Sequence, residues 1–113
     1  APPTLLVSRG SQVQRVTVAS VLYVRAEAKY LAVHTAAGEW LLEDSLARLE
    51  LRLAPQLLRI HRALLVNVRY LIGLQRDADG RVWAVVDGVT APLPVSRRLA
   101  AGVQQALEHH GSD

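Results

Sequence analysis

Along most of this chain apolar and polar positions alternate with a period of two, and that spacing predicts strands. Thr4 to Arg9 reads as a short strand, and Gly10-Ser11 as the turn after it. Gln12 to Val18 carries Val13, Val16 and Val18 among polar residues, a second strand with an irregularity. Val21 to Arg25 is rich in strand formers. Tyr30 to Thr35 alternates through Leu31, Val33 and Thr35. Ala36-Ala37-Gly38 then turns the chain into Glu39 to Leu42, so Tyr30 to Leu42 is predicted to be a hairpin. Leu57 to Val66 returns to strand character, interrupted by basic residues. Tyr70 to Arg76 and Arg81 to Val86 flank Asp77-Ala78-Asp79-Gly80, a hairpin turn signal. Pro92 and Pro94 put a short strand at Thr90 to Pro94 on a sheet edge, because proline has no N–H to give a ladder.

Two segments follow a helical period instead. Leu46, Leu49 and Leu53 recur at helical spacing after Asp44, whose carboxylate is predicted to cap the helix. Pro55 ends that element. Ser96 is the predicted cap of a last helix with Leu99, Val103, Ala106 and Leu107 as its apolar stripe, weakened slightly by Gly102. His109-His110 and the final three residues are predicted to fray. The sum is a mostly β domain with two short helices. Strands and helices do not alternate, which disfavours a parallel doubly wound sheet.

Composition narrows the class. With 113 residues, half of them hydrophobic, the chain is long enough for one compact core and too apolar to be disordered. No apolar run approaches the roughly 20 residues of a membrane-spanning helix. Ala1-Pro2-Pro3 lacks the basic start of a signal peptide and reads as the end of a linker. The expected organisation is a linker end and first strand over 1–10 and the functional domain over 11–113. There is no cysteine, hence no disulfide framework or thiolate metal site, and the expected compartment is the cytoplasm. Net charge is a modest +3. Of the 13 basic residues only Lys29 is lysine, and the rest are arginines, whose planar fork matches phosphates and guanine edges.

Placement of the cations says more than their number. They gather at Arg25 to Tyr30, at Arg59-Ile60-His61-Arg62 and at Pro94 to Arg98, each flanked by strand-like sequence. Arg97 and Arg98 fall where a helix N-terminus already carries partial positive charge, which costs a few tenths of a kcal/mol each unless an anion neutralises them, about the size of one helix-dipole interaction. Orphan N–H groups, the Ser96 hydroxyl and two guanidiniums together make a phosphate site. In a strand, Arg59 and His61 share one face and Ile60 and Arg62 the other, with Glu43 or Glu50 as a structural partner for one pair. His61 reads as a half-buried, hydrogen-bonded histidine, and Tyr30 as half-buried packing with its hydroxyl at the edge. Enzyme signals are poor. No serine has a nucleophile-elbow context, Glu43-Asp44 is explained by capping, and His34 and His61 lack metal spacing. No cofactor is implied.

Taken in order, Val21 to His34, Glu43-Asp44-Ser45-Leu46 with Leu49, Leu58 to Arg62 with Leu65-Val66-Asn67, and Pro94 to Arg98 resemble the LytTR DNA-binding domain of LytR/AlgR-type bacterial response regulators. The resemblance implies an elongated stack of antiparallel β-sheets with two short helices. It implies loops that enter successive major grooves and bend the duplex. Carried over by position, Lys29, Arg62 and Arg97 would contact base edges, and Tyr30, Ser96, Arg98 and His61 the DNA backbone. After His61-Arg62 the family often has a hydroxyl and then an aromatic, where this chain has Ala63 and Leu64; leucine fills the same apolar role. The implied partner is double-stranded promoter DNA with repeated sites, bound as a dimer held by an N-terminal receiver domain ahead of Ala1, with no membrane. Two other readings stay open: a β-rich interaction module docking an acidic protein, and a small hydrolase using Glu43 or Asp44 with His61.

Overall fold

A computed structural model describes residues 1–111 of the chain. Ten strands and two helices follow in order: β1 Thr4–Arg9, β2 Gln12–Thr17, β3 Val21–Ala26, β4 Leu31–Thr35, β5 Gly38–Leu42, α1 Leu46–Leu53, β6 Leu57–His61, β7 Leu64–Asn67, β8 Leu71–Arg76, β9 Val82–Val86, β10 Leu93–Val95 and α2 Ala100–Gly111. All pairings are antiparallel. Seven strands form one sheet in the order β2-β1-β5-β4-β3-β7-β6, and three form a second in the order β10-β9-β8. The principal extents are 43 × 31 × 25 Å, an elongated body.

Two apolar cores lie on opposite faces of the large sheet. The first gathers Leu5, Val7, Val24, Val33 and Leu65 with Leu46, Leu49 and Leu53 of α1. The second gathers Ile60, Leu64 and Val66 with Ala84, Val86 and Leu93 of the small sheet and Val103 of α2. β7 is buried at every position because alternate side chains serve different cores, Leu64 and Val66 one and Leu65 the other. Leu64, in the place of the expected aromatic, is fully buried. Asn67 is the one polar residue buried among the described residues. Its Nδ2 donates to Val18 C=O at 3.2 Å and Val21 C=O at 2.8 Å, and its Oδ1 accepts from Arg69 N–H at 3.0 Å.

Both predicted hairpins form, and β10 lies at the edge of its sheet as its prolines require. Four expectations need correction. Leu57 to Val66 is two strands, because the chain reverses at Arg62-Ala63 and β6 pairs with β7. Ser45, not Asp44, caps α1: the Ser45 hydroxyl accepts from Arg48 N–H at 3.2 Å, while Asp44 accepts from Ser45 N–H at 2.8 Å and pairs with Arg48 at 3.6 Å. Ser96 makes no side-chain capping bond; Arg97–Leu99 is a 3-10 turn, and α2 begins only at Ala100. α2 also continues through His109-His110 to Gly111, since helical backbone bonds hold that far, and the expected fraying of 112 and 113 lies outside the described residues.

Candidate nucleic-acid interface

Antiparallel pairing decides which turns meet. β3 lies between β4 and β7, so its C-terminal end adjoins both the turn into β4 and the turn before β7. Ala26 N–H donates to Ala63 C=O at 2.8 Å, which ties the Glu27–Tyr30 turn to the Arg62-Ala63 turn. Ser96 N–H donates to Ile60 C=O at 2.8 Å, which ties the chain entering the Arg97 turn to β6. Three basic segments far apart in sequence thus become neighbours through two backbone bonds. Lys29, Arg62, Arg97 and Arg98 are all exposed, and among the described residues none of their side chains makes a hydrogen bond or ion pair.

Arg59 behaves differently. Its Nη2 lies 3.2 Å from Glu50 of α1, and its Nη1 donates to Arg62 C=O at 3.0 Å. Of the two expected carboxylates it is Glu50 that pairs, and the guanidinium braces the turn presenting Arg62. The expected shared face of Arg59 and His61 does not form. Register shifts between them, so Arg59 opposes Leu65 while His61 opposes Leu64, on the other face. The bulge sends Arg59 toward α1 and His61 toward the small sheet.

His61 is half-buried, and its Nδ1 accepts from Ala63 N–H at 3.1 Å, as the sequence suggested. Burial, then the charges of Arg62 and Arg25, hold its pKa below the usual 6.5. The ring is therefore neutral at pH 7 and carries its proton on Nε2, a donor aimed away from the turn. Tyr30 is exposed at 36%, more open than the half-buried packing expected of it, because it ends a turn and not a strand.

His61, Ser96 and Arg97 line one side of an open cleft of about 810 Å³. The tip of the β8–β9 hairpin forms the other side, with Arg76, Arg81 and the ring of Trp83. Sequence reasoning passed over Arg76 and Arg81. The signal was their position on either side of an Asp-Gly turn, but nothing local places that turn beside Arg97. Glu43 and Asp44 line a different cleft, next to β1 and β5, so folding does not join them to His61 as a hydrolase would need.

The family model of the LytTr DNA-binding domain matches residues 11–108. The chain belongs to that family. An uncharacterized response regulatory protein of Vibrio cholerae is 39% identical to it over 100 residues, 84% of this chain and 38% of that protein. The CO-responsive transcriptional regulator RcoM of Rhodospirillum rubrum is 32% identical over 102 residues, 86% of this chain and 43% of the relative. The positive alginate biosynthesis regulatory protein of Pseudomonas aeruginosa is 32% identical over 96 residues, 84% of this chain and 39% of the relative. This LytTR domain therefore spans well under half the length of each of these relatives. Its fold matches the LytTr DNA-binding domain of a protein described as a methyl-accepting/DNA response regulator from Bacillus cereus, with a TM-score of 0.83 at 21% identity, over 95% of this chain and 98% of the other. Among its described residues no helix is long and apolar enough to cross a membrane.

Proposed function

We propose that this LytTR domain binds double-stranded promoter DNA sequence-specifically, as the transcription-regulating output domain of a two-component response regulator. The observation that carries the reading is the backbone coupling of three basic turns on which Lys29, Arg62, Arg97 and Arg98 make no side-chain hydrogen bond or ion pair among the described residues. Unpaired cations on adjoining turns gain most from a polyanion, because each phosphate neutralised releases counterions. Lys29, Arg62 and Arg97 are the base readers, entering major grooves from turns. Arg62 and Arg97 can each hold a guanine edge bidentately, for about 1–3 kcal/mol of discrimination. Tyr30, Ser96, Arg98 and His61 contact the backbone, His61 through its Nε2–H. Turns that enter successive grooves favour a bent duplex, adding readout through deformability. A receiver domain ahead of Ala1 would dimerise on phosphorylation and raise the effective concentration of the second domain at repeated sites. The family and the names of the relatives support DNA as partner and regulation as role.

The test is a duplex selected from a random-sequence pool by the domain itself, titrated against a scrambled duplex of equal length. Arg62→Ala and Arg97→Ala are expected to shrink the ratio of the two affinities, by about 1–3 kcal/mol each. Arg98→Ala is expected to weaken both duplexes evenly. A wild-type ratio near one at every salt concentration overturns the proposal in favour of an acidic protein partner.

A further inference from the structure

We infer that the β8–β9 hairpin adds a further DNA contact, with Arg81 and Arg76 gripping the phosphate backbone that flanks the groove read by Arg97. The inference rests on the DNA-binding reading above and extends it to an element that reading does not use.

Four observations carry it. The cleft between the hairpin tip and the Arg97 turn is continuous with the interface, since His61, Ser96 and Arg97 form one of its walls. Arg76, Arg81 and Arg97 all line it, and Asp79 is the only carboxylate in that lining. The Arg81 guanidinium is exposed and makes no hydrogen bond or ion pair among the described residues. The hairpin tip is also held in place. Asp77 accepts from Asp79 N–H at 2.9 Å, Arg81 N–H at 3.0 Å and Trp83 Nε1–H at 2.9 Å, Arg76 Nη1 donates to Gly80 C=O at 3.1 Å, and Gly80 takes the positive φ of +81° that closes the turn.

Chemistry selects the ligand. The Asp77 carboxylate is committed to three N–H donors and attracts Arg81 only through space, so the Arg81 guanidinium keeps its hydrogen-bonding capacity for an outside anion. Arginines spread across an open cleft suit a run of phosphodiesters better than one enclosed small anion, which needs convergent donors in a buried pocket. The contact carries no sequence information by itself. It fixes how the domain lies on the duplex and so the depth at which Arg97 enters its groove.

The experiment measures affinity for the selected duplex and for a scrambled one as a function of salt, for wild type, Arg81→Ala and Asp79→Asn. Neither side chain makes a hydrogen bond or ion pair among the described residues, so both changes are expected to leave the turn's hydrogen bonds in place; thermal melting checks this. Arg81→Ala is expected to flatten the slope of log affinity against log salt by about 0.9, one released counterion, on both duplexes. Asp79→Asn is expected to tighten both. Trimming the selected duplex from each end in turn is expected to abolish the Arg81→Ala penalty when the flank that the hairpin grips is lost. Unchanged slopes for Arg81→Ala, with wild-type specificity intact and Arg97→Ala impaired, overturn this inference alone. So does a penalty that survives trimming from both ends, which would mark an effect on the Arg97 turn. Failure of wild type to prefer its selected duplex would instead sink the DNA-reading proposal.

Discussion

Asn67 shows how one side chain orders a region. It is wholly buried at the end of β7, and its amide bridges the loop before β3 and the turn after β7. Removing it takes a donor away from the Val18 and Val21 carbonyls and the acceptor away from Arg69 N–H, in a dry environment. Asn67→Ala is expected to destabilise the domain by about 2–3 kcal/mol, read from denaturant unfolding. Asn67→Asp is expected to cost more, since a carboxylate would replace the donor facing Val18 and Val21 carbonyls. In sequence Asn67 stood out only through the family resemblance. Arg59 was legible in part: a cation inside an apolar run needs a carboxylate, and Glu50 supplies it. That its other nitrogen braces the Arg62 carbonyl was not legible, because the brace depends on a chain reversal that strand periodicity does not encode.

At the scale of elements, turn chemistry was the most readable feature. Asp77 to Gly80 announced a hairpin, and the structure gives the mechanism in three N–H groups on one carboxylate. Those bonds, the Trp83 indole first, hold the Asp77 carboxyl below its usual range. Asp77→Ala is expected to loosen the hairpin, with faster hydrogen exchange at the Asp79 and Arg81 amides and little change in β3 or β7. If the exchange rates stay as in wild type, Asp77 is not what holds the tip. β6 and β7 were misread as one strand for a physical reason. β7 is buried on both faces and β6 carries Arg59 and His61 on opposite ones, so neither has one polar side to mark the register, and only Arg62 and Ala63 hint at the turn. The same two-sided burial concealed the bulge that separates Arg59 from His61.

Two half-buried histidines, His34 of β4 and His61 of β6, couple the stability of the whole molecule to pH. His34 stacks on Tyr23 with centroids 4.2 Å apart, and burial, outweighing the attraction of Glu39, lowers its pKa. His61 is lowered by burial, then Arg62 and Arg25. Both groups bind protons more readily unfolded than folded, so their contribution to stability is complete above the unfolded value near 6.5. It is lost progressively as pH falls below 6.5 toward the folded values. Thermal melting is expected to show a midpoint that declines between pH 7 and 5. In His61→Asn, whose amide oxygen can still accept from Ala63 N–H, the decline is expected to be shallower. An equally steep decline in that variant would show that His61 is not neutral in the folded domain.

Apart from the turn between β6 and β7, the order of strands and turns, the two helices and the identity of the basic residues could be read along the chain, because each follows from spacing or from a residue's own backbone preference. The ten-strand arrangement into sheets of seven and three, the two cores sharing β7, and the adjoining of the turns that carry Lys29, Arg62 and Arg97 could not. Those depend on which strands pair across long stretches of chain, and no local pattern carries that information. The three basic turns adjoin because β3 runs between β4 and β7 and because Ser96 bonds to Ile60, contacts that form only when distant segments are brought together.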